Sequence, residues 1–232
     1  MKDKKVHSAA AAIEGLRDGA TVLVGGFGHA GIPDLLIEAV CDRHLRNLTI
    51  VTNNSGRGRT GIARLIESGC VGKIVCSFPI AKEGFVFKEW YDAGRIGVEV
   101  VPQGTLAERI RCAGAGLGGF LTPTGVGTEI AEGKQTLTVG GREYLLELPL
   151  RGDFALIRAD AVDPRGNLTY RKAARNFNAV MACAADVVVV QANREVALGA
   201  LEPEVIITPG LYVDRYFVAA AEPALRVAAG GR

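Results

Sequence analysis

The sequence predicts an α/β domain with a mostly parallel, open sheet and helices on both of its faces. Three observations lead there. Short apolar runs at residues 21–24, 48–52, 73–77 and 98–101 alternate with stretches of helical character. The runs are continuous rather than alternating, as expected of strands buried on both faces in a parallel sheet. Three of the connections that follow them, GGFGHAG, NNSG and PQGT, are built from glycine and amide residues. In open parallel sheets ligands bind beyond the carboxyl ends of the strands, so these connections form the expected functional edge.

Taken in order, residues 1–16 read as a first helix with Ser8 as its cap. Their apolar part is short, rests on alanine and carries Glu14, unlike a secretory leader. The strand at 21–24 empties into Gly25, Gly26, Gly28 and Gly31. Glycine lets a loop take positive φ and bring backbone N–H groups against a ligand. Pro33 has the fixed φ suited to the first position of a helix reaching residue 43, with Leu36 and Val40 on one face and Leu35 beside them. A helix start facing such a loop favours anionic groups. The strand at 48–52 leads into the polar loop Asn53-Asn54-Ser55-Gly56, then a short helix around Ile62, Leu65 and Ile66 closed by Gly69. A third strand at 73–77, an aromatic helix at 85–91 and a fourth strand at 98–101 follow.

The second half changes character. Residues 114–127, GAGLGGFLTPTGVG, are too rich in glycine for a helix or a sustained strand, and are expected as a loop wrapped over the site. Gly140-Gly141 between 136–139 and 143–148 predicts a small antiparallel hairpin. A strand at 153–159, a turn at Asp163-Pro164-Arg165-Gly166, an extended piece at 167–170, a helix at 173–184 and strands at 186–191 and 205–207 complete the pattern. Residues from about 219 onward are expected to fray. The whole chain, 1–232, is expected to form one domain without an internal repeat.

Composition narrows the function. With 27 basic and 25 acidic residues the formal net charge is +2, and no basic stripe interleaved with aromatics points to nucleic acid. No apolar run approaches the roughly 20 residues that cross a bilayer. Cys41, Cys70, Cys76, Cys112 and Cys183 are scattered without C-x-x-C spacing, which suggests buried thiols in a reducing cytoplasm. His7, His29 and His44 lack metal-ligand spacing. Gly26 to Gly31 matches G-x-G-x-x-G, but a dinucleotide site would place an acid after the second strand, where Thr52, Asn53 and Asn54 stand. A phosphate-binding G-x-x-x-x-G-K-[ST] loop and a G-x-S-x-G nucleophile elbow are both missing. Loops that hold a ligand without an obvious reactive group suggest chemistry completed by another chain.

Residues 18–33 resemble the first signature of the family I CoA-transferases: an acidic residue or Asn, Gly, an apolar run, then G-G-F-x-x-x-G-x-P. Asp18, Gly19, Gly25, Gly26, Phe27, Gly31 and Pro33 fill its fixed positions. The likeness continues through TNNSG at 52–56, VPQGTLAERIRCAGAG at 101–116, TPTGVGTEIAEGK at 122–134, GNLTYRKAARNF at 166–177 and ITPGLYVDR at 207–215. The chain is similar to the A (alpha) subunit of that family. The resemblance implies the CoA-transferase (NagB/RpiA-like) fold and transfer of CoA between an acyl-CoA and a free acid. It implies a nucleophilic glutamate on a partner B subunit, which passes through an acyl-glutamyl anhydride to a glutamyl-CoA thioester. A heterodimer or heterotetramer is expected, with CoA as substrate and no cofactor. Glu129, inside GTEIAEG, is expected to fix loop geometry rather than to attack.

By the same resemblance Gly25, Gly26, Phe27, Gly28, His29, Ala30 and Gly31 form the CoA-binding loop. Asn53, Asn54 and Gln103 occupy the polar active-site positions, where amides donate to a carboxylate or a developing oxyanion. Arg57 and Arg59 are available to pair a second carboxylate on the acceptor. VCSFP at 75–79 and GDFALIRA at 152–159 are similar to members acting on succinyl-CoA and 3-oxoadipate, with acetoacetate or a short-chain fatty acid as the alternative acceptor. The R-G-R at 57–59 and Ile80 depart from those members. A reading of another class is a non-catalytic sensor of a CoA ester or phosphorylated metabolite, working without a partner.

Overall fold

The computed structural model describes residues 3–80 and 83–219. The first helix, α1 (Ala9–Ala12), is short and begins where the Ser8 hydroxyl accepts from the Ala11 N–H. The β-branched runs become β1 (Thr21–Val24), β2 (Leu48–Val51), β3 (Val71–Cys76) and β4 (Gly97–Val100). Between them lie α2 (Asp34–Asp42), α3 (Ile62–Glu67) and α4 (Phe85–Asp92), and α5 (Gln103–Gly114) follows β4. Next come β5 (Phe120–Thr122), β6 (Thr136–Val139) and β7 (Arg142–Glu147), then β8 (Gly152–Val162), β9 (Leu168–Thr169), α6 (Asn176–Met181), β10 (Ala185–Glu195) and β11 (Arg215–Val218).

The main sheet runs β11-β10-β8-β1-β2-β3-β4, and every neighbouring pair on that path is parallel. β9 is an antiparallel addition to β8. Side chains alternate across a strand, so Val22 and Val24 enter the layer that holds Leu36, Ile37 and Leu65, while Leu23 enters the layer of Leu106, Ile110 and Met181. Helices therefore cover both faces, α1 to α4 on one and α5 and α6 on the other. The strand order turns at β1, which pairs with β2 on one side and β8 on the other. Such a reversal leaves a crevice at the carboxyl end of the sheet, and the glycine loop after β1 lies there.

The second sheet is the expected hairpin with one more strand, in the order β5-β7-β6. Gly140 and Gly141 both have positive φ, 58° and 79°, as a type I′ turn requires.

Several expectations are corrected. Pro33 precedes α2 as its cap rather than opening it, and Leu35 faces outward at 37% exposure, because adjacent helical positions do not share a face. Residues 114–127 do not wrap over the site: α5 runs to Gly114, and Phe120 to Thr122 pair with β7. A Cβ at Gly114 would stand 2.9 Å from Cys183, so this glycine serves close packing. The helix expected at 173–184 is a 3-10 turn at Lys172–Arg175 followed by the shorter α6. The last strand is at Arg215–Val218, not at 205–207. There a 3-10 turn (Pro203–Val205) ends, and the Ile207 N–H donates to the Leu168 carbonyl. The expected fraying falls beyond Ala219, outside the described residues; Ala219 itself donates to the Ala192 carbonyl. Among the described residues no helix is long and apolar enough to cross a membrane.

Four of the five cysteines are buried and Cys183 is half-buried. Burial pushes the Cys41 and Cys76 thiols up to about 11, which keeps them neutral at pH 7.

Candidate active site

The glycine loop is held from behind. The Gly25 N–H continues the sheet by donating to the Leu156 carbonyl, and Phe27 and Ala30 exchange two backbone bonds of 3.0 Å around a tip made of Gly28 and His29. Two asparagines at the start of α6 fasten both ends. Asn176 accepts from the Gly26 N–H at 3.1 Å and donates to the Ala30 carbonyl at 2.9 Å. Asn178, fully buried, donates to the Gly31 and Ala174 carbonyls and accepts from the Arg158 N–H, each at 2.9 Å.

This changes the meaning of the glycines. A Cβ on Gly25 would lie 2.0 Å from Asn178 Oδ1, and one on Gly31 would lie 2.7 Å from the Ala174 carbonyl. What packs behind the loop is by itself enough to require glycine at both positions. The N–H groups of Gly25, Gly26, Phe27 and Ala30 are likewise engaged inside the protein. At the tip, Gly28 takes φ +60° with open space around it. Among the described residues, the donors of Gly28 and His29 have no acceptor in the hydrogen-bond network.

Beside this loop the carboxyl ends of β2, β3 and β4 deliver three side chains to one point. Asn53 follows β2, Ser77 follows β3, and Gln103 opens α5 two residues beyond Val101, whose N–H donates to the Cys76 carbonyl. Gln103 Nε2 donates to Asn53 Oδ1 at 2.7 Å, and the Ser77 hydroxyl lies 2.9 Å from the same oxygen. With its acceptor taken twice and the residue only 4% exposed, Asn53 is locked in one orientation. Among the described residues no group accepts from its NH2 and no side-chain polar atom is both buried and unpaired, so that donor opens to the cavity Asn53 lines. Asn54 has a different task. Its Oδ1 accepts from the Gly56 N–H at 2.9 Å and shapes the turn.

These groups line a cavity of about 660 Å³ with Phe27, Gly28, Arg57 and Phe78. Of the residues expected from the sequence, the structure thus brings together Phe27, Gly28, Asn53, Asn54, Arg57 and Gln103. Gly25, Gly26 and Gly31 are buried behind the surface, Ala30 is half-buried off the lining, and His29 is exposed beside it. Arg59 points elsewhere, paired with Glu67 and lying 5.5 Å from the Phe85 ring centroid. Glu129 sits in an exposed turn next to the second sheet. Among the described residues, the lining carries one cation and no carboxylate. Its amides suit a carbonyl or carboxylate oxygen, and among the described residues its one hydroxyl, that of Ser77, is held by Asn53 with no base bonded to it. A second cavity of about 260 Å³, bounded by Phe27, Gln103, Ala107, Phe177 and Val180, adjoins it.

Sequence reasoning missed Ser77, Phe78, Asn176 and Asn178. The last two stand two residues apart in ARNFN, within a stretch that reads only as helix, and no local signal shows that they reach back to a loop some 150 positions earlier in the chain.

The chain matches the coenzyme A transferase family over residues 6–219. It is 52% identical over 228 residues to the A (alpha) chain of 3-oxoadipate CoA-transferase from Pseudomonas putida, covering 98% of this chain and 99% of that one. It is 50% identical over 202 residues to the alpha chain of acetate CoA-transferase from Escherichia coli K12, covering 87% and 91%. Glutaconate coenzyme A-transferase of Acidaminococcus fermentans shares the fold, with a TM-score of 0.83 at 17% identity over 93% of this chain and 75% of that one. A strand-end amide cluster beside a glycine loop, on a sheet shared with such proteins and in a sequence half identical to them, has one conclusion: the chain belongs to the coenzyme A transferase family.

Proposed function

We propose that this chain is the A (alpha) subunit of an enzyme that moves CoA from succinyl-CoA to a 3-oxo acid, 3-oxoadipate in the first place. The observation that carries the reading is the locked amide pair, Gln103 Nε2 on Asn53 Oδ1 at 2.7 Å, in a cavity whose described residues include no activated nucleophile. Such a site stabilises charge but does not attack. Exchange of a thioester for a carboxylate needs a nucleophile that forms a covalent intermediate, and a glutamate on a B subunit supplies it. Each half-reaction passes through an oxyanion on the acyl carbon, and the Asn53 NH2 and the second Gln103 N–H donate to it; preorganised donors of this kind are worth roughly 3–4 kcal/mol each in other enzymes.

The surface supports a partner. Phe27 and Phe78, on the cavity lining, are 49% and 57% exposed, and Ile80, two residues on, is 70% exposed, apolar surface that a second subunit would bury. The 3-oxoadipate assignment rests on the near full-length likeness to the Pseudomonas putida protein. Acetate-type exchange is the second reading, favoured by the likeness to the Escherichia coli protein.

The test is to co-purify the chain with a CoA-transferase B subunit and assay CoA transfer from succinyl-CoA to 3-oxoadipate, acetoacetate and acetate. The proposal predicts fastest transfer to 3-oxoadipate. No transfer to any of the acids, with the pair intact, refutes it.

A further inference from the structure

The loop after β2 is a structural copy of the loop after β1. Gly26-Phe27-Gly28-His29-Ala30-Gly31-Ile32 is matched by Gly56-Arg57-Gly58-Arg59-Thr60-Gly61-Ile62. The backbones agree. The three glycines have φ of 121°, 60° and 73° in the first loop and 88°, 57° and 54° in the second. Antiparallel bridges close both tips, Phe27 with Ala30 and Arg57 with Thr60. The loops also touch, since a Cβ on Gly61 would meet the Ile32 side chain at 3.4 Å. Their parent strands are paired in parallel, Leu23 beside Val51, so both tips rise from the same edge of the sheet.

Equivalent positions on the two tips face one cavity with opposite chemistry. Phe27 of the first loop and Arg57 of the second both line the 660 Å³ cavity. We infer that the second loop is a carboxylate subsite in which Arg57 holds the far carboxylate of a dicarboxylic acyl group, while the reacting carbonyl lies at Asn53 and Gln103. Among the described residues Arg57 is the only cation on the lining, and a planar guanidinium matches a carboxylate in a bidentate pair. A carboxylate already reaches it from the rim: Glu83 lies 3.2 Å from Arg57, and both side chains are exposed. Exposed pairs of this kind contribute little, so an incoming carboxylate replaces Glu83 at low cost. Arg59 is excluded from the subsite by Glu67 and Phe85.

This rests on the CoA-transfer reading and adds to it the residue that selects a dicarboxylic over a monocarboxylic acid. The experiment uses the assembled A and B subunits, with kcat/KM measured separately for 3-oxoadipate and for acetoacetate. In a double-displacement reaction that constant reports the acceptor half alone, so the choice of donor does not enter. The expected result is that Arg57→Gln lowers the ratio of kcat/KM for the dicarboxylate over the monocarboxylate at least tenfold, and that Arg57→Lys recovers part of it. Arg59→Gln is the control, with the ratio within twofold of wild type. An unchanged ratio in Arg57→Gln, or a fall only as large as that of Arg59→Gln, overturns the subsite while leaving CoA transfer standing. A wild-type pair that transfers to neither acid overturns the functional reading itself.

Discussion

Gly25→Ala tests why the glycine loop has the sequence it has. The new methyl group would lie 2.0 Å from Asn178 Oδ1 and 2.6 Å from its Cγ, so the Asn178 side chain must leave its place. That side chain is fully buried and holds three backbone groups, the Arg158 N–H and the Gly31 and Ala174 carbonyls. At about 1 kcal/mol for each bond, and more where a buried partner is left unmet, its displacement costs about 3–5 kcal/mol. Asn178→Ala removes the same bonds and should cost a similar amount. Asn178→Ala also takes away the atoms that Gly25→Ala strikes, so adding the second change should cost only about 1 kcal/mol more, a coupling of roughly 2–4 kcal/mol between the sites. Equilibrium urea unfolding of the wild type, the two single variants and the double variant, followed by circular dichroism, gives all four free energies. Additive costs would refute the account, because they would mean that Gly25 is constrained by something other than Asn178.

Three further outcomes follow from the geometry. Gln103→Ala in the assembled enzyme should lower kcat at least tenfold, about 1.4 kcal/mol of transition-state stabilisation, without loss of assembly by size-exclusion chromatography. Unchanged turnover would remove Gln103 from the site. Asn54→Ala should act through the turn that carries Arg57, raising KM more than it lowers kcat, since Asn54 Oδ1 is committed to the Gly56 N–H. The buried thiols of Cys41 and Cys76, raised from 9.0 to about 11, stay neutral at pH 8 and should resist iodoacetamide until the protein is unfolded. The sign for stability follows: the unfolded thiols ionise near pH 9 and the folded ones near 11, so each contributes stability below pH 9 that is lost as pH rises toward 11. A falling denaturation midpoint across that window, shallower in Cys76→Ala because only the Cys41 contribution then remains, is the check.

The parallel sheet was legible because its strands are buried on both faces, and continuous runs such as TVLV and LTIV have no other good explanation. The edge strand β11 was not, since RYFV begins with an arginine that reaches the carbonyls at the end of α1, while the more apolar run before it is taken up by turns. At the site, Asn53 and Gln103 were legible from the strand ends and from the family pattern. Their 2.7 Å contact was not, because it joins residues from different connections through the order of the strands. The glycines misled in one respect. A missing Cβ signals close approach, but the sequence does not say from which side, and at Gly25 and Gly31 the approaching group is α6 and the turn before it.

The central claim is that this chain supplies the oxyanion-binding half of a shared site and not the nucleophile. Intact mass spectrometry of the assembled subunits, after incubation with succinyl-CoA and no acceptor acid, tests it most directly. The account predicts covalent CoA on the B subunit, with this chain unmodified and the adduct discharged when an acceptor acid is added. CoA bound covalently to this chain would contradict it, as would steady transfer with no adduct on either polypeptide.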